Sequence, residues 1–246
     1  MGLDRRQLRT ASGLRFAKLL GTGDGHTFTL RDADPRHWAL LAVWDDVAAA
    51  HRFAAGTMHR GWQRLCQERL EVLMTPLASR GRWAGQEPFG PIGANSTSAG
   101  PTSLGPTSAD PTSADPTSAD PTRNCAGQPS GGPVAAITRA RLRPLRARSF
   151  WRAVPPVSAD LAAVDGLGLA IGIGEAPIGL QGTFSLWQSA RALNEFAYRR
   201  PAHTDVVART VAERWYAEEL FARFAVRSVT GTFAGRLPLI IPRESG

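Results

Sequence analysis

A chain of 246 residues, 43% of them apolar, can build one large domain or two small ones. Its net charge of +8 comes almost wholly from scattered arginines, with Lys18 the sole lysine, so no nucleic-acid-binding stripe is expected. No stretch approaches the roughly 20 apolar residues of a membrane span, residues 1–21 lack a signal-peptide core, and the expected location is cytoplasmic.

Taken in chain order, Leu14 to Leu20 reads as a strand, followed by a long loop and a second strand from Trp38 to Trp44. A helix is expected from about Asp46 to Cys66, then a strand from Glu68 to Thr75. Between Phe89 and Pro133 the apolar pattern disappears, and Pro101, Pro106, Pro111, Pro116 and Pro121 are each followed by threonine. Such a tract buries too little surface to offset its ordering entropy and predicts a disordered linker. Cys66 and Cys125 cannot form a zinc site between them, and two free thiols are expected.

Beyond the linker, Val134 to Leu142 reads as a strand and Pro144 to Val154 as a short helix closed by Pro155-Pro156. Leu167 to Gly174 alternates strictly, with Leu167, Leu169, Ile171 and Ile173 on one face and Gly168, Ala170, Gly172 and Gly174 on the other. A strand from Leu180 to Trp187 follows. The next helix runs from Ser189, is interrupted near Pro201 and resumes to about Glu219. A last strand spans Phe221 to Val229. The order β-α-β-β-α-β is that of the ferredoxin-like module.

The segment Trp44 to Ala54 (WDDVAAAHRFA) returns at Trp187 to Ala197 (WQSARALNEFA), and both copies reach a similar terminator, Gly81-Arg82-Trp83-Ala84-Gly85 and Gly231-Thr232-Phe233-Ala234-Gly235. The chain therefore reads as one module used twice, in residues 1–88 and 134–246, joined by 89–133. In the first copy only residues 1–13 precede the first strand, so its opening β-α unit is expected to be missing, leaving an unpaired sheet edge.

Several residues carry candidate chemistry. The glycine face of Leu167 to Gly174, above all Gly172 and Gly174, admits either a flat ligand or a closely packed backbone. His203 lies with Val206, Val207 and Thr210 on the apolar side of its helix and can ligate iron or fill a buried hydrogen bond. His51 lies among exposed-looking residues, and His26, His37 and His59 sit in or near loops. Arg139, Arg141 and Arg143 project from one strand face, suited to carboxylates or to a solvated surface. Glu175 is a candidate proton-handling group. Trp151, Phe184, Trp187 and Trp215 are expected in the interior. No hydrolytic triad, phosphate loop, His-Glu-x-x-His or Cys-x-x-Cys pattern is present.

The run Gly172 to Trp187 (GIGEAPIGLQGTFSLW), with Phe196-Ala197-Tyr198, Pro201-Ala202-His203 and Trp215-Tyr216, resembles the spheroidene monooxygenase family, the acyclic carotenoid 2-ketolases. Gly13-Leu14-Arg15-Phe16, Lys18-Leu19-Leu20-Gly21 and Thr138-Arg139-Ala140-Arg141 extend the likeness over nearly all of the chain outside the linker. The resemblance implies an α+β fold of tandem ferredoxin-like modules forming a dimeric α+β barrel, here with the first module N-terminally truncated. It implies haem iron as cofactor, an acyclic carotenoid or similar lipophile as substrate, dioxygen as oxidant and a ferredoxin-type electron donor. By position, His203 becomes the axial metal ligand. Arg141 and Arg139 become candidates for the opposite side of the macrocycle or its propionates; beside the resemblance, Gly172, Gly174 and Trp187 are further cofactor-binding candidates, and Arg141 and Glu175 the catalytic ones. A lipophilic substrate also implies peripheral contact with a membrane surface, although no amphipathic anchor is recognisable. A cofactor-independent oxygenase on the same barrel and a shortened, non-catalytic lipophile-binding relative are the alternative readings.

Overall fold

Inward-facing apolar residues at every second position draw seven strands into one sheet. The computed structural model describes residues 8–23, 33–90, 132–146, 149–153, 161, 164–175, 182–199, 210 and 213–239. The strands are β1 (Leu14–Gly23), β2 (Ala33–Trp44), β3 (Leu70–Gly81), β4 (Val134–Leu142), β5 (Leu167–Gly174), β6 (Gly182–Trp187) and β7 (Tyr216–Gly231). Their order is β2-β1-β5-β6-β4-β7-β3, antiparallel at every pairing. Laid flat, six spacings of about 4.8 Å would hold β2 and β3 roughly 29 Å apart. Instead Ala39, Leu41 and Val43 of β2 and Val72 and Met74 of β3 pack against one buried cluster that includes Ile137, Ile171, Ile173, Leu186 and Phe224. The sheet is curled, and its two edges face each other.

Helices α1 (Val47–Ala54), α2 (Thr57–Leu65) and α3 (Ala190–Arg199) complete the mixed α/β architecture. Asp46 caps α1 by accepting from the Ala49 N–H at 2.6 Å, and Ser189 caps α3 by accepting from the Ala192 N–H at 3.2 Å. A second core lies where α3 meets the sheet: Val134, Leu161, Trp187, Leu193 and Phe196 are all buried there.

The two halves repeat each other in detail. The Asp45 N–H donates to the Gly13 carbonyl and the Gln188 N–H to the Gly166 carbonyl, both at 2.8 Å. Gly13 and Gly166 adopt φ of 80° and 84°, and a Cβ on them would meet the Cβ of Ala49 at 2.6 Å and of Ala192 at 2.8 Å, which no larger residue tolerates. Along β3 and β7, Leu70 pairs with Gly231 and Gly81 with Leu220, the register that a twofold relation between the strands requires.

Several expectations need correction. The helix over Asp46 to Cys66 is two helices, because the chain turns at Ala55 and Gly56, where the Ala55 N–H reaches back to the His51 carbonyl. The helix expected to run to Glu219 has already ended, for Arg214 takes the left-handed φ of 49° and β7 starts at Tyr216. A bulge between Leu167 and Leu169 sends Leu167 to the α3 side, away from Leu169, Ile171 and Ile173. Pro144–Arg146 is a 3-10 turn, and helix follows at 149–153. Phe89, expected at the start of the linker, is buried against Phe224 with ring centroids 4.8 Å apart. The rest of the linker from 91 to 131, including Cys125, lies outside the described residues, and Cys66 is a free thiol.

Candidate functional site

Two of the predicted site residues meet in one charged cluster. Arg139 points inward from β4 with its side chain 8% exposed, and Glu175 follows the last residue of β5. The Arg139 Nη2 donates to Glu175 Oε1 at 3.1 Å, and its Nη1 donates to Glu218 Oε1 on β7. Lys18 Nζ donates to Glu175 Oε2 at 2.7 Å, and the Trp83 indole N–H donates to Oε1. Glu218 also accepts from the Ala84 and Gly85 N–H groups at 3.0 and 2.8 Å. The guanidinium lies 5.5 Å from the Trp83 ring centroid.

The four charges balance, which is the condition for burying them. Burial by itself would raise the Glu175 pKa, but the Lys18 and Trp83 hydrogen bonds and the Lys18 and Arg139 charges together hold it below 4.5. Glu218 is likewise pulled below 4.5 against its desolvation, by the Gly85 N–H and Arg139. These contacts favour the carboxylate form of Glu175. Both terminal nitrogens of Arg139 are committed to protein carboxylates, and no space large enough for a water opens beside the cluster. Its Nε has no hydrogen-bond partner.

The other predicted residues stand apart. Arg141 is exposed near the end of β4, opposite Glu218 in the ladder. Gly174 borders the cluster and pairs with Gly21, while Gly172 pairs with Gly23 and Thr183. On the same strand, a Cβ at Gly168 would lie 2.1 Å from the Pro238 carbonyl oxygen, so at that position the missing side chain admits a neighbouring backbone. Trp187 is in the interior as expected, buried in the core on the α3 side, its ring 5.5 Å from Phe196 and its N–H donating to Ser185 Oγ at 2.9 Å. Trp215 is buried and donates to Glu213 Oε2 at 2.9 Å. His203 lies outside the described residues.

The space able to receive a molecule is elsewhere. A cavity of about 530 Å³ lies between β2 and β3 and is bordered by α1 and α2. Leu41, Phe53, Trp62, Ile171 and Phe184 line it. Two buried polar atoms among its lining residues, Trp62 Nε1 and Thr22 Oγ1, have no hydrogen-bond partner among the described residues. His59, expected near a loop, is on α2 and buried. Its Nδ1 lies 2.7 Å from the Ala54 carbonyl oxygen and its Nε2 2.5 Å from Glu71 Oε1. A carbonyl only accepts, so the Nδ1 contact needs an N–H there, and Nε2 faces the Glu71 carboxylate. Sequence inspection passed over His59 because helix burial is invisible in a run as polar as His59-Arg60-Gly61-Trp62-Gln63.

Among the described residues, no group of three or more His, Cys, Asp or Glu side chains is placed to hold a metal ion, and no helix is long and apolar enough to cross a membrane. No protein-family model matches the chain. Two solved structures with monooxygenase titles, from Lactobacillus acidophilus and Fusobacterium nucleatum, align at TM-scores of 0.37 and 0.39. They share 10% and 8% identity, cover 92% and 94% of this chain and 83% and 86% of their own, and are too distant to bear on the site. The sequence relatives are closer. Spheroidene monooxygenase of Rhodobacter capsulatus is 31% identical over 100% of this chain and 90% of its own length. The Rubrivivax gelatinosus protein of that name is 33% identical over 91% of this chain and 73% of its own length. The Cereibacter sphaeroides protein is 30% identical over 92% and 60%. The chain belongs to the spheroidene monooxygenase family of oxidoreductase enzymes.

Proposed function

We propose that the protein is a haem-dependent monooxygenase that inserts oxygen into an acyclic carotenoid or a similar elongated, apolar substrate, with dioxygen as oxidant and a reduced ferredoxin as electron donor. Its framework in this proposal is two ferredoxin-like modules in one barrel, the first running through Phe89 and the second in residues 134–246. The observation that carries the proposal is the cavity. Its 530 Å³ fall within the range of roughly 300–1,000 Å³ typical of small-molecule sites. Walls of Leu41, Phe53, Trp62 and Phe184 withdraw a polyene from water without demanding hydrogen bonds that it cannot make.

Bound haem would supply the activation of dioxygen. The residues present suit such a group in kind: Arg36 and Arg69 border the cavity and match carboxylates, and the aromatic walls match a flat macrocycle. By family resemblance, His203 would hold the iron. His59 and Glu71 meet at the cavity wall, with the Ala54 carbonyl fixing the imidazole orientation. A lipophilic substrate places the enzyme in the cytoplasm at a membrane surface.

Full-length protein supplied with haem, reduced ferredoxin, dioxygen and spheroidene is expected to show a Soret band and to form a C2-oxygenated product, and His203→Ala should abolish the band. Protein that stays colourless after haem supplementation would remove the cofactor from the proposal. Haem-loaded protein that leaves spheroidene unchanged would remove the reaction.

A further inference from the structure

We infer that the turn after β4 is a membrane-docking tip that seats Leu145 at the surface of an anionic lipid bilayer, with Arg143, Arg146, Arg152 and Arg214 holding the headgroups around it. The inference deepens the membrane contact of the proposed function, on which it rests for its purpose, by naming the protein surface and the lipid charge. The anchor that the sequence does not show as an amphipathic helix is supplied by a folded turn.

The sequence sets the charge. Arginines are scattered along most of the chain, but seven fall between Asp120 and Asp160, a stretch with no lysine, aspartate or glutamate of its own. Folding brings in one more, because the Arg143 N–H donates to the Trp215 carbonyl at 2.8 Å and so sets Arg214 beside the turn. Arg152 lies on the helical residues 149–153, which are held to the same place by Phe150, edge-on to Trp215 and Tyr216 at 5.6 and 5.9 Å. All four arginines are exposed, and among the described residues none of them forms an ion pair. The acidic neighbours are committed elsewhere. Glu218 holds Arg139 and the Ala84 and Gly85 N–H groups, and Glu213 accepts from the Ser149 hydroxyl and the Trp215 N–H. Glu219 sits further along β7, opposite Ala140.

Leu145 adds the apolar part. It is 97% exposed, more than any other large apolar residue described. The turn that carries it is pinned: the Arg146 N–H donates to the Arg143 carbonyl at 2.9 Å, and Arg143 Nε donates to the Tyr216 carbonyl at 3.0 Å. A lone exposed leucine is ordinary. One held out on a pinned turn among unpaired arginines matches a lipid surface, which offers phosphate to the guanidiniums and hydrocarbon to the leucine without a shaped pocket. A nucleic acid would answer only the arginines, and a protein partner would need a socket for the leucine.

Full-length protein is co-sedimented with vesicles of phosphatidylcholine alone and of an equimolar mixture of phosphatidylcholine and phosphatidylglycerol. Binding to the mixed vesicles is expected to be at least tenfold tighter, and to fall as salt screens the headgroups. A net charge of +8 would draw any face of the molecule to such vesicles, so the variants locate the contact. Arg146→Gln with Arg152→Gln should weaken binding at least tenfold, at about fivefold per arginine. Leu145→Ser, which leaves the charge alone, should weaken it at least threefold. These side chains are exposed, so both variants should keep the parent's urea midpoint, and either one decides if the other misfolds. Equal binding to the two vesicle types overturns the inference, as does parent-like binding by either folded variant. So does tighter binding to duplex DNA than to the mixed vesicles, which would assign the arginines to nucleic acid. Vesicle binding needs neither haem nor carotenoid, so its failure leaves oxygenation of detergent-dispersed spheroidene free to succeed, and the two failures are told apart.

Discussion

The β4 half of the curled sheet, closed by pairing on both sides, and the β2 and β3 half, open among the described residues, place the same carboxylate in different company. Glu218 and Glu68 each sit at the entry to a long strand, each held by two N–H groups of the other half's Ala-Gly terminator. Among the described residues only Glu218 has an arginine, which reaches it from β4. Backbone donors thus suffice to orient the glutamate, while the buried network of Arg139, Glu175 and Lys18 depends on a particular strand being in place. Where that strand has no described counterpart, the structure has a cavity instead of a packed core.

Breaking the closed half at its charge centre should produce the largest effect. Arg139→Ala leaves two carboxylates facing each other with only Lys18 in compensation, a loss of about 3–5 kcal/mol in urea unfolding. A variant as stable as the parent would mean that the network does not hold β4 to β5 and β7. Apolar truncations sharpen the contrast. Ile137 is 2% exposed inside the closed wall, and Ile137→Ala should cost about 2–5 kcal/mol through lost contacts and a new void. Leu41, only partly buried, already faces a cavity, so Leu41→Ala enlarges existing space and should cost about 1–2 kcal/mol. Equal losses would show that the two edges are packed alike.

Acid separates the halves next. Glu175 and Glu218 have folded pKa values depressed below 4.5, so their stabilisation is complete above that ordinary value and is lost as pH falls through the depressed folded values. Thermal unfolding followed downward from pH 6 should therefore show a falling midpoint below about pH 4.5. Glu175→Gln should flatten that fall. Glu68 is also depressed, by the Thr232 hydroxyl and the Gly235 N–H, but it is solvent-facing, and Glu68→Gln should change the acid slope less than Glu175→Gln does. A steeper change from Glu68 would contradict the difference drawn between the two carboxylates.

The sequence disclosed elements whose physics is local. Strict alternation from Leu167 to Gly174 marked β5, and the repeated Trp44 and Trp187 segments marked two equivalent strand-to-helix junctions. What depended on distant partners stayed hidden. Arg139 stood out in a row of arginines on one strand face and Glu175 as a carboxylate just past β5, but nothing local joined them to Lys18, Trp83 or Glu218, which arrive from β1, from the segment after β3 and from β7. The early end of the helix before β7 was equally obscure, since it turns on Arg214 in a left-handed conformation that arginine seldom advertises. The bulge that diverts Leu167 arises from pairing with β6 and has no signature in Leu167-Gly168-Leu169 itself.

The smallest expected effect tests whether the halves are equivalent where both are intact, at their helix caps. Asp46 and Ser189 stand two residues after the repeated tryptophans, and each accepts from the N–H three residues on. Removing either side chain leaves a first-turn N–H without its partner, at about 1 kcal/mol. Asp46 should matter more than Ser189, because its bond is shorter, 2.6 against 3.2 Å, and its negative charge favours the positive end of α1. In urea unfolding, Asp46→Ala should therefore exceed Ser189→Ala by a few tenths of a kcal/mol, on the order of the charge contribution at a helix end. Asp46→Asn, which keeps the acceptor and removes the charge, should fall between the parent and Asp46→Ala. If Ser189→Ala proved the more damaging by a clear margin, α3 would be drawing support from its cap that α1 does not need, and the junctions would be alike in geometry but not in energetics.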